Sequence, residues 1–136
     1  MTLRAHPEVP KRVLVVEDNP AHQEILHRIT EDINKKIELI PAFTAEAAQK
    51  ALSNEDLPDL ILLDLNLPKM SGHEFLDLLR NDHKYADLPI IVLTSSDDAQ
   101  ELENLRSRGA NGCFTKPTDY YTYSAMMRFI SSEWLH

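Results

Sequence analysis

Three carboxylates, a hydroxyl and an ammonium stand at the ends of apolar runs in this 136-residue chain. Glu17 and Asp18 follow "RVLVV", Asp64 follows "DLILL", Thr94 follows "IIVL" and Lys116 follows "GCFT". A carboxylate at the margin of a buried segment is costly unless something pairs with it. Three of them brought together repel one another, and one lysine cannot neutralise all three. A hard divalent cation can, because Mg2+ favours oxygen ligands and high charge density. One carboxylate is then free to attack phosphorus and form an acyl phosphate. The ion and Lys116 would share the charge on the transferring phosphoryl oxygens, and Thr94 stands where a hydroxyl can donate to one of them. Asp64 is the candidate acceptor, since its strand is the third and central one. Glu17 and Asp18 are the candidate metal holders from the neighbouring first strand.

For these groups to meet, the chain must form a parallel sheet. The runs ending at Val16, Leu63, Leu93 and Thr115 are continuously apolar, as strands covered on both faces require. A fifth run, "KIELIPAF" (36–43), alternates in part and holds Pro41, which makes it an edge strand. Helical patterns lie between. Pro20 opens the first, with Ile25, Ile29 and Ile33 along one face. The second follows Thr44 with Ala45, Ala48 and Leu52. Ser71 and Glu74 make a capping box ahead of Phe75, Leu76 and Leu79. Asp97 or Asp98 caps a helix carrying Leu102 and Leu105, which Gly109 stops, and the last helix runs from about Asp119 to Trp134. Five strand–helix units imply a three-layer α/β sandwich, doubly wound, with strand order 2-1-3-4-5. All strands of such a sheet finish at one edge, so the five polar groups should converge there.

The chain is one domain long and, at 43% hydrophobic residues, rich enough for a single core. Twenty-two acidic against fourteen basic residues, a formal charge of −8, argue against a chain that grips nucleic acid directly. No apolar run approaches the roughly 20 residues of a membrane span, and the N-terminus lacks the apolar stretch of a secretory signal. A lone cysteine, Cys113, suits a reducing cytoplasm. Residues 1–10, with Pro7 and Pro10, read as a loosely docked tail preceding a domain over 11–136.

With "VVEDNP", "LILLDLNLPKMSG", "IIVLTSS" and "TKP" in this order and spacing, the chain resembles the receiver domain of two-component response regulators, the chemotaxis-regulator-like fold, from about Arg12 to Trp134. The resemblance implies that Asp64 is the phosphorylated aspartate. It makes Asp18 and Asp64 direct Mg2+ ligands, Glu17 a ligand through water, and the backbone carbonyl of Asn66 a further one. Thr94 becomes the switch hydroxyl and Lys116 the ion-pair partner of the phosphoryl group. The Lys116–Pro117 peptide is expected to be cis. The phosphoryl donor is expected to be a phosphohistidine on a sensor histidine kinase, and the protein a phosphoacceptor rather than an enzyme in its own right. The tail "MMRFISSEWLH" and the loop after Asp64 look most like small stand-alone regulators that partner phytochromes.

Two departures from the family pattern stand out. The aromatic usually found three residues before the lysine is here Cys113, and strand alternation should turn the adjacent Phe114 to the other side. Nor does an output module follow, so the signal is expected to leave by protein–protein contact or further phosphotransfer. A phosphohydrolase with an aspartate nucleophile would want a second acid two residues on, where Asn66 stands. A flavodoxin-like cofactor carrier would want a phosphate-cradling loop in place of "EDNPAH". Taken singly, Asp64 is a loop carboxylate, Lys116 a solvated lysine, Thr94 a strand end and Cys113 a small buried hydrophobe; the first three gain meaning together. None of the six histidines shows metal-ligand spacing, though His22 and His73 fall near the site. The last helix is apolar on two sides, Tyr123, Met127, Ile130 and Trp134 on one and Ala125, Met126 and Phe129 on another. That leaves open a wide core stripe or a homodimer through the fourth helix, fifth strand and fifth helix.

Overall fold

The computed structural model describes residues 10–33, 36–53 and 56–135. The chain runs β1 (Lys11–Val16), α1 (Pro20–Ile33), β2 (Ile37–Ala42), α2 (Ala45–Leu52), β3 (Leu60–Asp64), α3 (Gly72–Arg80), β4 (Ile90–Thr94), α4 (Ala99–Ser107), β5 (Gly112–Thr115) and α5 (Tyr120–Trp134). The five strands are parallel in the order β2-β1-β3-β4-β5, as the pattern of apolar runs required. The expected tail lies outside the described residues apart from Pro10, as do His6 and His136.

Strand alternation divides the core into two layers. Leu14, Val16, Ile61, Leu63, Ile90 and Val92 face α2, α3 and α4. Val13, Val15, Leu60, Leu62, Ile91 and Leu93 face α1 and α5. Every side chain of β3 and β4 is buried, which explains why these runs carry no polar alternation.

The caps expected on α3 and α4 form, and Thr44 adds one on α2. Thr44 accepts from Ala47 N at the start of α2, Ser71 and Glu74 close a capping box on α3, and Asp98 rather than Asp97 caps α4. Two expectations change. In α1 the buried stripe is Gln23, Leu26, Ile29 and Thr30, with Ile25 and Ile33 only half-buried. A strict four-residue spacing advances faster than the 3.6-residue turn, so 25, 29 and 33 drift off one face. The Lys116–Pro117 peptide is trans, since the described chain holds no cis bond; trans is the isomer that an X–Pro bond favours intrinsically.

Candidate phosphoacceptor and metal site

Glu17, Asp64 and Lys116 reach one rim because each continues an inward alternation. Glu17 follows Val13 and Val15, Asp64 follows Leu60 and Leu62, and Lys116 follows Phe114, all on the α1/α5 side. Asp64 is 4% exposed and Glu17 3%. Asp18, on the next position, is exposed. Lys116 Nζ donates to Glu17 Oε1 at 2.5 Å and to Asp64 Oδ2 at 3.0 Å. The remaining carboxylate oxygens take backbone donors: Asn19 N to Glu17 Oε2 at 3.1 Å, and Asn66 N to Asp64 Oδ1 at 3.0 Å.

Charge and burial oppose one another here. Burial raises the pKa of Glu17 above its ordinary value, and the hydrogen bond from Lys116 only partly offsets it. Burial works to lower Lys116, but the bonds to Glu17 and Asp64 outweigh it and hold the ammonium above its usual range. One ammonium against three carboxylates leaves a negative surplus. Oxygens of Glu17, Asp18 and Asp64 lie within 4.8 Å of one another. An all-oxygen, net-negative set of this span, with two members buried and one open to solvent, fits a hard divalent cation.

The loop after Asp64 is held close by glycine. Gly72 N donates to Leu65 O at 3.1 Å. A Cβ at Gly72 would stand 2.5 Å from Leu65 Cα and 2.9 Å from Asp64 O, so only glycine lets α3 begin against the acceptor's own backbone. Lys69, in the same loop, sits at φ 64°, an uncommon conformation for a residue with a side chain.

Thr94 ends the neighbouring strand β4. It is buried, but register pairs Asp64 with Leu93, so alternation turns Thr94 to the other face with Ile90 and Val92. Its Oγ1 accepts from Ser96 N at 3.1 Å. Asn66 is exposed beside Asp64. Cys113 packs in the α2–α4 layer, its thiol pKa pushed up by burial, while Phe114 packs in the α1/α5 layer, as alternation required.

Sequence reasoning placed His22 near this rim without a role and passed over Gln23 and Tyr123 as members of it. His22 Nδ1 lies 3.1 Å from Glu17 Oε1, which it shares with Lys116. Gln23 Nε2 donates to Val15 O at 3.0 Å and to Glu17 O at 3.1 Å, stitching α1 to the end of β1. Tyr123 reads as core from its spacing, yet it lines a cavity with His22 and Lys116. Their positions after "EDNP" and "TKP" were the available signal; which way they face depends on how α1 and α5 dock.

A family model for the response regulator receiver domain matches residues 13–128. The chain belongs to the response regulator receiver family. This receiver is 31% identical over 133 residues to the probable methanogenesis regulatory protein FilR2 of Methanothrix harundinacea, covering 94% of this chain and 86% of that one. It is 31% identical over 132 residues to response regulator Rcp1 of Synechocystis, covering 93% and 90%. Among solved structures, the Mn2+-bound form of Rcp1 superposes with a TM-score of 0.80, covering 93% of the receiver and 96% of that chain at 31% identity. The phosphorylated cyanobacterial phytochrome response regulator RcpA gives 0.83 at 27% identity, covering 93% and 94%. The divalent-metal fit of the acidic cluster agrees with this membership. No helix among the described residues is long and apolar enough to cross a membrane.

Proposed function

We propose that this receiver accepts a phosphoryl group on Asp64 from a phosphohistidine of a sensor histidine kinase. The observation that carries the reading is the buried Asp64 carboxylate held between the Lys116 ammonium and the Glu17–Asp18 pair. An Asp64 oxygen attacks phosphorus, the P–N bond breaks, and the imidazole departs with its electron pair. Mg2+ held by Asp18, Asp64, the Asn66 carbonyl and, through water, Glu17 would supply charge neutralisation during transfer. Lys116 offers donors to the phosphoryl oxygens, and Thr94 reaches them by leaving its bond to Ser96 N. That exchange would repack the loop between β4 and α4 and alter the surface presented to protein partners.

The kinase is proposed to be of phytochrome type. Support comes from RcpA, itself a phytochrome response regulator, and from the structure of RPA3017, a regulator in red-light signalling of R. palustris with TM-score 0.82 at 26% identity. A cytoplasmic location and a homodimer through the α4-β5-α5 face belong to the same reading, the latter supported by the half-exposed Phe129 on α5.

Radiolabelled acetyl phosphate with Mg2+ tests the chemistry. The wild type should label and lose its label on chelation, and Asp64→Asn should not label at all. Label persisting in Asp64→Asn would place the acceptor elsewhere and end this reading.

A further inference from the structure

Tyr123 lies in the first turns of α5, 4% exposed, and its hydroxyl is the one buried side-chain polar atom among the described residues without a hydrogen-bond partner. A buried donor left without an acceptor costs free energy, so its retention calls for a state in which it is satisfied. Its position suggests which. Tyr123 belongs to the α1/α5 layer, the layer onto which Glu17, Asp64 and Lys116 also turn. It lines a cavity of about 380 Å³ together with His22, Ser95, Lys116 and Pro117. Burial first, then the charges of Glu17 and Asp64, push its ionisation well above the ordinary phenol range, so the group remains a donor.

Each carboxylate oxygen of the site already accepts at least one donor. Asn19 N occupies Glu17 Oε2, and Lys116 and His22 share Glu17 Oε1. Asn66 N and Lys116 occupy the two oxygens of Asp64. A phosphoryl group on Asp64 brings fresh oxygens that draw Lys116 toward them, and Glu17 Oε1, buried, is then left with His22 alone and room for a second donor.

We propose that Tyr123 is a positioning residue of the phosphorylated state, its hydroxyl donating to the Glu17 oxygen that Lys116 leaves when it turns to the phosphoryl group. This inference rests on the reading of Asp64 as the acceptor. A donor unsatisfied in one state and bonded in the other favours the second, so Tyr123 biases the receiver toward its phosphorylated arrangement.

Tyr123→Phe removes the hydroxyl and keeps the ring. Beryllofluoride with Mg2+ serves as the phosphoryl probe, and its affinity is measured by calorimetric titration. The variant should bind the probe about tenfold more weakly, while the free protein melts no lower than wild type, because an unpaired buried hydroxyl has gone. In the loaded wild type, a slowly exchanging Tyr123 hydroxyl proton should appear by NMR. Equal affinity in the two proteins overturns the inference. So does a loss of affinity matched by a fall in the melting temperature of the free variant, which would mark packing damage. Failure of the wild type to bind the probe would remove the acceptor reading itself, and this inference with it.

Discussion

Lys116 joins Glu17 and Asp64 across ninety-nine and fifty-two positions of sequence, and its removal would leave two buried carboxylates without a cation. Lys116→Met should therefore destabilise the metal-free protein by roughly 3 kcal/mol, and millimolar Mg2+ should restore part of the loss. The pH dependence follows from the raised pKa of Lys116, which is the folded-state value. The folded protein holds that proton more tightly than the unfolded chain, so the pair's contribution is complete below 10.5 and is lost as pH rises through the raised value. Glu17, also raised, has the same sign in acid: protonation favours the folded state below 4.5, and the advantage disappears as pH rises through its elevated pKa. Urea unfolding of wild type and Lys116→Met, at neutral pH and above 10.5, should show a steeper alkaline decline in the first than in the second, the raised pKa of buried Tyr123 giving both a common share. These residues were legible in the sequence because parallel strands end at one edge, so a polar group after each apolar run has a place before any packing is known. Gln23 and Tyr123 were not, and His22 only as a neighbour of the site, since their orientation is set by the docking of α1 and α5. Thr94 was only half legible: its strand end was found, but one residue of register decides its face.

At the level of elements, the half of the sheet that follows Asp64 is tied together by Arg80 on the last turn of α3. Its guanidinium donates to Gly109 O, Tyr85 O and Asn111 Oδ1, each at 2.8 Å, and Asn111 Oδ1 in turn accepts from Ile90 N. Gly109, at φ 110°, clears the way; a Cβ there would lie 2.6 Å from Arg80 Cγ. Arg80→Ala would break three bonds at once, leaving Gly109 O without its donor while Asn111 Oδ1 keeps Ile90 N and Tyr85 O keeps Leu88 N, and should cost about 2 kcal/mol in chemical denaturation. Arg108→Ala breaks only the bridge to Asp77, whose side chains are 34% and 44% exposed, and should cost under about 1 kcal/mol. Equal losses would mean that the Arg80 web is decorative. Elements of this kind divide by legibility. Caps such as Ser71 and Asp98 announce themselves locally, because the side chain bonds a backbone group within a few residues. The 3-10 turn over His83–Tyr85 combines local and distant contacts, capped by Asp82 and held by Arg80 from another element.

For the molecule as a whole, the open question of α5 narrows to its aromatic side. Met126 joins the core beside Tyr123, Met127 and Ile130, so the second apolar face reduces to Ala125 and Phe129, with Trp134 of the first face half-buried beside them. Phe129 is 50% exposed and stacks edge-on between Phe114, at 6.0 Å, and Trp134, at 6.3 Å. A preformed aromatic ridge of this kind suits a partner surface, because little side-chain entropy remains to be lost. Sedimentation at high micromolar protein should show a dimer that Phe129→Ala weakens; a monomer with and without phosphorylation would remove the homodimer. The sheet's outer border carries a quieter safeguard. Pro41, in register with Val15 on border strand β2, has no amide hydrogen to offer a newcomer, and Glu38 sets a charge beside it. At the opposite border β5 is four residues long, with the indole of Trp134 close over Gly112. The ribbon itself therefore resists being lengthened, so that the proposed pairing of copies would fall to helices and rings, apart from the borders where fibres could grow.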